Sequence, residues 1–420
     1  MNYKFLLFLL LSFSGVSAFA QKTKTDVVVY GSGSGAISAA IQAARSGVKA
    51  ILVNPETELN TNFSDSEQQF LTRIKNHYKS ALKSKDSKKD SLGEVDSSKI
   101  IIESTPDFSV KKLLDTIQRL TVLNKSDFTK IEESGKGWDI KMADGSTIKC
   151  DVLIDGSSDF KAAQLLKVNP EQTIIPFEPV TNNAYLNNVF RTSVGYAYKV
   201  VSEINQSAFL VPIGSLLPQG TENFIIIPQG NKRFRAESMT VGQAAGATAA
   251  YCSFFKTTTK KLNIRVIQGE LLGYDSRLIP FSDIDFKDRH AIAFQHIGLS
   301  GLIKLNSDSN GKFNFDTLGT VSTDELKLPM KDLYSRSQIW FADNKTDSLK
   351  IKDVINLFMY SVARGEELRK EIENGWKDSF AFNTKYDPER AINRREFAVL
   401  SEAYLQPFNV RVDLNGKLIN

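Results

Sequence analysis

DVVVYGSGSGAISAAIQAARSGVKAILVNP, residues 26–55, is the stretch that decides the fold. Asp26–Tyr30 is a short β-branched run of the kind that forms a central parallel strand buried on both faces. A turn from Gly31 to Ala36 follows at once, then a predicted helix through Arg45 and a second strand over Lys49–Asn54. The turn fits G-x-G-x-x-A. Gly31 makes the tight bend, Gly33 lets the backbone approach a pyrophosphate, and Ala36 lets helix and strand pack closely. Ser34 and Gly35 open the helix, where unpaired N–H groups and the positive dipole end favour negative phosphates. The unit therefore reads as a dinucleotide site. One position departs from the pattern, because the second strand should end in Asp or Glu to accept from ribose hydroxyls. Here it ends in Asn54, which can accept or donate but without the charge-assisted bond. No basic residue follows to hold a 2′-phosphate, so NADP is not favoured.

Upstream of this unit, Lys4, the apolar run Phe5–Leu11 and Ala18-Phe19-Ala20 before Gln21 read as a secretory leader over residues 1–20. The apolar run is too short to span a bilayer, and no later run is long enough. The expected localisation is therefore exported, periplasmic or extracellular, without a membrane span after cleavage. Hydrophobic residues are 41% and charged residues 24%, an ordinary globular balance. A net charge of +5, from 53 basic and 48 acidic residues, gives no reason to propose nucleic acid as a partner. Cys150 and Cys252 are the only thiols; they could pair in an oxidising space or remain two buried thiols, and they lack redox spacing.

Downstream, the lysine- and serine-rich stretch Lys79–Lys99 has little to bury and reads as a solvated insertion. Val110, Leu113, Leu114, Ile117 and Leu120 recur at helical spacing within Val110–Leu123. Asp144-Gly145 lies between Trp138–Met142 and Ser146–Cys150, a hairpin signal, and Asp151–Asp155 is a further strand. Thr173–Phe177, Val194–Val201, Phe209–Ile213 and Phe224–Ile227 are short β-rich runs expected of a substrate-facing sheet within residues 171–230. Glu237–Ser253 is a predicted helix of small residues. After Leu278 the pattern turns to helices with charged faces, which sets a domain boundary there: residues 21–278, then 279–420.

Three patches together resemble the FAD-dependent oxidoreductase family of glutathione-reductase-like fold, in particular its secreted bacterial members. They are residues 26–55, CDVLIDGSSD at 150–159 and RAESMTVGQAAGATAA at 235–250. The second is similar to the family's strand and DATGD turn beneath the nucleotide, the third to its late GQAAG helix facing the flavin. The resemblance implies an α/β fold: a Rossmann-like three-layer FAD-binding domain, a reduced β-rich substrate region and a mainly α-helical C-terminal domain. It implies FAD as cofactor, with Gly31, Gly33, Ser34, Gly35 and Ala36 at the pyrophosphate and Asn54 in the place of the ribose acid. Asp155 and Gly156 would fall near the nucleotide, and Gly242, Gln243 and Ala244 near the flavin pyrimidine side, where a helix N-terminus stabilises charge on reduced flavin. The sequence departs from the family in two places. ETELNTNFSDSEQ, residues 56–68, has no glycine where members cradle the flavin, and DATGD has become DGSSD.

Residues 279–420 resemble two degraded S-layer-homology-like repeats, carried by FSDID (281–285), HAIAFQHIGLSGLIK (290–304), Phe313-Asn314-Phe315 and INRREFAVLSEAYLQPF (392–408). Ala291, Phe294, Ile297, Ile303, Phe397, Leu400 and Leu405 would be core. The resemblance implies attachment to cell-wall polymer or docking to the flavin domain, with a structural cap as the alternative. No metal site is expected: His290 and His296 are six apart, and the loop starting at Asn306 has Thr317 where a calcium loop needs Glu. His77, the remaining histidine, reads as a solvated helix residue, and no catalytic acid or base can be named. Two functions stand: an exported flavin oxidoreductase acting on a small organic substrate, or a non-catalytic flavin-fold scaffold with a binding tail. An NAD-binding Rossmann domain is weakened by export.

Overall fold

The computed structural model describes residues 22–60, 63–64, 67–69, 71–75, 106–177, 188–200, 206–229, 234–236, 238–285, 287–307 and 311–419. The predicted leader, Lys79–Lys99, His77, Glu237 and positions 308–310 of the polar loop lie outside them. The strands of the first half are β1 (Lys22–Lys24), β2 (Val27–Tyr30), β3 (Ala50–Val53), β4 (Leu120–Leu123), β5 (Phe128–Ser134), β6 (Gly137–Met142), β7 (Thr147–Cys150) and β8 (Val152–Asp155). The second half adds β9 (Ser193–Val200), β10 (Gln206–Pro212), β11 (Phe224–Ile226) and β12 (Phe234–Ala236). The helices used below are α1 (Ser34–Arg45), α2 (Pro106–Thr116), α3 (Lys161–Leu166), α4 (Ser238–Phe254), α5 (Ile264–Gly273), α6 (Ala291–Ser300) and, at the C-terminal end, α7 (Arg394–Tyr404).

A five-stranded sheet in the order β11-β8-β2-β3-β4, wholly parallel, forms the centre. Val27, Val28 and Val29 have no exposed surface, as a strand covered on both faces requires. Helices α1 and α4 cover one face, and the four-stranded sheet β1-β7-β6-β5 covers the other. These are the three layers expected. Between sheet and sheet, Val28, Leu153, Phe224, Trp138 and Ile140 make a second apolar cluster. Trp138 closes it by donating Nε1–H to the Asn223 carbonyl at 2.8 Å.

Several expectations change, and the open question of the thiols is answered. The apolar spacing through Leu120 does not continue as one helix: α2 stops at Thr116, Arg119 turns left-handed (φ 70°), and Leu120 opens β4. Phe224–Ile227 does not join a substrate-facing sheet; its wholly apolar run suits a doubly covered edge, and β11 pairs with β8. That leaves β10-β9-β12 as the separate antiparallel sheet, while Thr173 makes only an isolated bridge to Pro218. Cys150 and Cys252 are unbonded and buried, and burial pushes both thiols up, Cys252 to about 12.

In the C-terminal part, α7 is closed by a capping box in which Asn393 accepts from Glu396 N–H and Glu396 from Asn393 N–H. Phe294, Ile297, Ile303, Phe397 and Leu400 have no exposed surface, and they belong to the same buried cluster as α1 and α4. Ala291, also expected in the core, is only partly buried. Arg265 on α5 is 5% exposed and donates to the Val410, Arg191 and Leu299 carbonyls. Those bonds tie the chain end to the first half. With no carboxylate among these acceptors, burial pushes its guanidinium down to about 9.

Helix α1 packs closely on α4. A Cβ at Gly242 would lie 2.1 Å from the Gly35 carbonyl oxygen, and one at Gly246 would lie 2.2 Å from that of Ala39. Gly246→Val should therefore lower stability by about 3 kcal/mol through overpacking. Thermal melting of the variant checks this, and an unchanged melting temperature would contradict the seam.

Candidate functional site

The site is built at the carboxyl ends of β2, β3 and β8. Gly31 has φ 138°, which side-chain-bearing residues rarely adopt, and a Cβ there would meet the Gly156 carbonyl oxygen at 2.7 Å. The two turns after β2 and β8 therefore interlock, and the Gly156 N–H donates to the Tyr30 carbonyl at 2.8 Å. Gly33, the N-cap of α1, has ordinary extended backbone (φ −82°, ψ 171°), and nothing lies within 4 Å of the position a Cβ would take. Open space at Gly33, beside the first N–H groups of α1, is the room a pyrophosphate needs. Gly35 and Ala36 are buried beneath, with a Cβ at Gly35 3.2 Å from Ile227. Gly31, Gly33, Ser34, Gly35, Ala36 and Gly156 are thus brought together at one place.

The polar residues expected to read the nucleotide are turned inward. Asn54 has no exposed surface: its amide donates to Asn124 Oδ1 at 2.9 Å and its carbonyl accepts from Glu56 N–H at 3.1 Å. Asp155 is equally buried and accepts from Ser157 Oγ (2.6 Å), Ser157 N–H (3.1 Å) and Ala163 N–H (2.9 Å). Burial raises its carboxyl above the usual range, against the pull of those hydrogen bonds. Its work is to hold the DGSSD turn against the start of α3. Gly242, Gln243 and Ala244 lie in the seam between α4 and α1. Gln243 is 1% exposed and donates to Gln42 Oε1 at 3.0 Å, while its own Oε1 is buried without a partner. In the structure Gly242 packs on Gly35 and Ser38, and Gln243 on Gln42, all of α1.

A cluster not foreseen stands on the other face of the sheet. Tyr30 donates to Asp127 Oδ1 at 3.0 Å, and Lys161 Nζ forms an ion pair with Asp127 Oδ2. Burial, then Asp127, raises the Tyr30 hydroxyl well above its usual range. Burial alone would raise Asp127 too, but bonds from Lys161, Phe128 N–H and Tyr30 hold it below the usual carboxylate range. The members come from Tyr30, Asp127 and Lys161, far apart in the chain, so no local pattern announces them. Near the glycine turn itself, Asn60 N–H donates to the Ser32 carbonyl at 2.9 Å, which draws the glycine-free loop after β3 over the turn. Among the described residues no group of three or more His, Cys, Asp or Glu could hold a metal ion.

Residues 26–169 match the family model of FAD dependent oxidoreductases. FAD is the cofactor which that match assigns to this part of the chain. No curated protein matches the chain. Among solved structures, the bacillithiol disulfide reductase of Staphylococcus aureus is 17% identical over 32% of this chain and 39% of its own, with a TM-score of 0.22. The anhydrotetracycline hydroxylase OxyS of Streptomyces rimosus is 15% identical over 35% and 34%, with a TM-score of 0.24. The halogenase PltM, solved with phloroglucinol and FAD, is 12% identical over 34% and 36%, with a TM-score of 0.25. The chain therefore spans 39% or less of the length of these structures.

If Asn54 is held in place chiefly for the turns around it, Asn54→Ala should lower stability by about 1–3 kcal/mol by leaving buried polar groups unsatisfied. Chemical denaturation measures this, and a change within error would mean that the bonds to Asn124 and Glu56 do not matter to the fold.

Proposed function

We propose that the chain is an exported, FAD-dependent oxidoreductase-like protein acting on a small organic substrate. The observation that carries this reading is the open cradle at Gly33, framed by the left-handed Gly31 and the N-terminus of α1, within residues that match the family. When bound, FAD would supply the redox chemistry, taking a hydride from the donor at flavin N5. The chain's part is to hold and orient. Gly31, Gly33, Ser34, Gly35 and Ala36 would carry the pyrophosphate on backbone N–H groups, with Gly156 closing the neighbouring turn. Asn54, Asp155, Gly242, Gln243 and Ala244 would shape the walls from behind.

A second reading is a flavin-fold scaffold without turnover. The inward commitment of Asn54, Asp155 and Gln243 favours it, since each would otherwise offer a polar contact to the ligand. In either reading residues 1–20 would act as the export leader, and residues 279–420 as an S-layer-homology-like tail for cell-wall polymer or for the flavin domain. Export is tested by the mass of the protein recovered from the producing cell: a chain starting at Gln21 supports it, and an intact Met1 contradicts it.

The cofactor reading is tested by absorbance of the purified chain and titration of FAD into stripped protein. Gly33→Val should leave folding intact, because its backbone suits valine and the added Cβ meets nothing, yet abolish FAD binding by filling pyrophosphate space. Binding of FAD with unchanged affinity by this variant would sink the site assignment. A wild-type chain that never binds FAD would sink the cofactor itself.

A further inference from the structure

The end of α4 farthest from the glycine turn carries two large exposed side chains, Phe254 (65% exposed) and Phe255 (56%). The backbone beneath them is hydrogen-bonded. Phe255 N–H donates to the Tyr251 carbonyl, Lys256 turns left-handed (φ 51°), and Thr257 N–H returns to the Cys252 carbonyl at 3.0 Å. The Phe254 and Phe255 rings meet edge-on with centroids 5.1 Å apart, and Tyr251 packs on Phe255 at 4.8 Å. Lys256, Lys260 and Lys261 follow the pair in the chain. Lys256 reaches Asp151 at 3.0 Å and Lys260 reaches Glu222 at 2.5 Å, with Lys261 next in the chain. Asn223, which accepts from Thr259 N–H at 3.1 Å, binds the Lys136 carbonyl at 2.6 Å and so brings that lysine to the same end. With Asp26, whose carbonyl accepts from Asp151 N–H, that end sets four lysines against three carboxylates, a small positive excess.

We propose that this end of the molecule docks on an anionic lipid bilayer. Phe254 and Phe255 would enter the acyl boundary while Lys136, Lys256, Lys260 and Lys261 face headgroup phosphates. Exposed aromatics beside lysines are the combination that binds such an interface, the first by apolar burial and the second by attraction to the negative surface. A protein partner fits less well, because a stable interface buries about 800 Å² on each side and two phenylalanines supply only a fraction of that. The orientation suits the fold. The first residue of α4, Ser238, has its carbonyl oxygen 3.3 Å from the Cβ position of Gly35, whereas Ser253 bonds Asp151 at the opposite ends of the strands. Docking would turn the glycine cradle away from the lipid.

The test is sedimentation of the full chain with vesicles of phosphatidylcholine alone or mixed with phosphatidylglycerol. Binding is expected only to the mixed vesicles and should fall as salt rises. Replacing Phe254 and Phe255 together by serine should weaken it about tenfold or more, since their apolar surface would no longer be buried. Lys256→Glu with Lys260→Glu and Lys261→Glu should do the same by repulsion, with melting temperature tracked to show that both variants fold. No binding to anionic vesicles at low salt, or equal binding by the serine variant, overturns the proposal. So does a finding that the wild type self-associates through the phenylalanines and, as an oligomer, leaves the vesicles untouched.

Discussion

The close crossing of α1 and α4 is the constraint on which the rest of this structure depends. Gly242 and Gly246 of α4 sit directly over the carbonyls of Gly35 and Ala39, so two helices share one face of the sheet with almost nothing between their backbones. That contact places α4 with its start beside the glycine turn and its end beside Asp151. It also explains why thirteen of the seventeen residues of α4 are buried and why so many are alanine or glycine. A larger residue anywhere in the seam would push α1, and with it the turn, out of register with β8.

From that seam follows the character of the cradle. Gly31 and Gly156 interlock because the turns after β2 and β8 cannot approach otherwise, and the interlock leaves Gly33 facing open space. The side chains that would add specificity have been drawn into the fold instead: Asn54 into the turn after β3, Asp155 into the start of α3, Gln243 into α1. What remains for a ligand is backbone, well suited to a diphosphate and less particular about what the diphosphate carries. The FAD assignment therefore rests on the family match over residues 26–169 together with this geometry.

The legible part of the fold was local. The β2–α1–β3 unit, the Asp144-Gly145 hairpin and the small-residue helix each carry their signal within a few residues, and all three stand where expected. What could not be read was pairing at a distance. An apolar run such as Phe224–Ile227 fits any doubly covered strand, and its place beside β8 depends on the whole sheet. Leu120 falls at helical spacing in the sequence, yet the helix stops at Thr116, Arg119 turns left-handed and Leu120 opens β4. In the site, glycines were readable since each answers to a backbone need, whereas the fates of Asn54 and Gln243 were set by Asn124 and Gln42, which no spacing links to them.

The most direct measurement is a crystal structure of the chain grown with FAD. A diphosphate should lie over Gly33, within hydrogen-bond reach of the N–H groups that open α1, with the α1–α4 seam unchanged. A structure in which FAD is bound elsewhere, or in which no diphosphate lies over Gly33 while FAD is in excess, would contradict it.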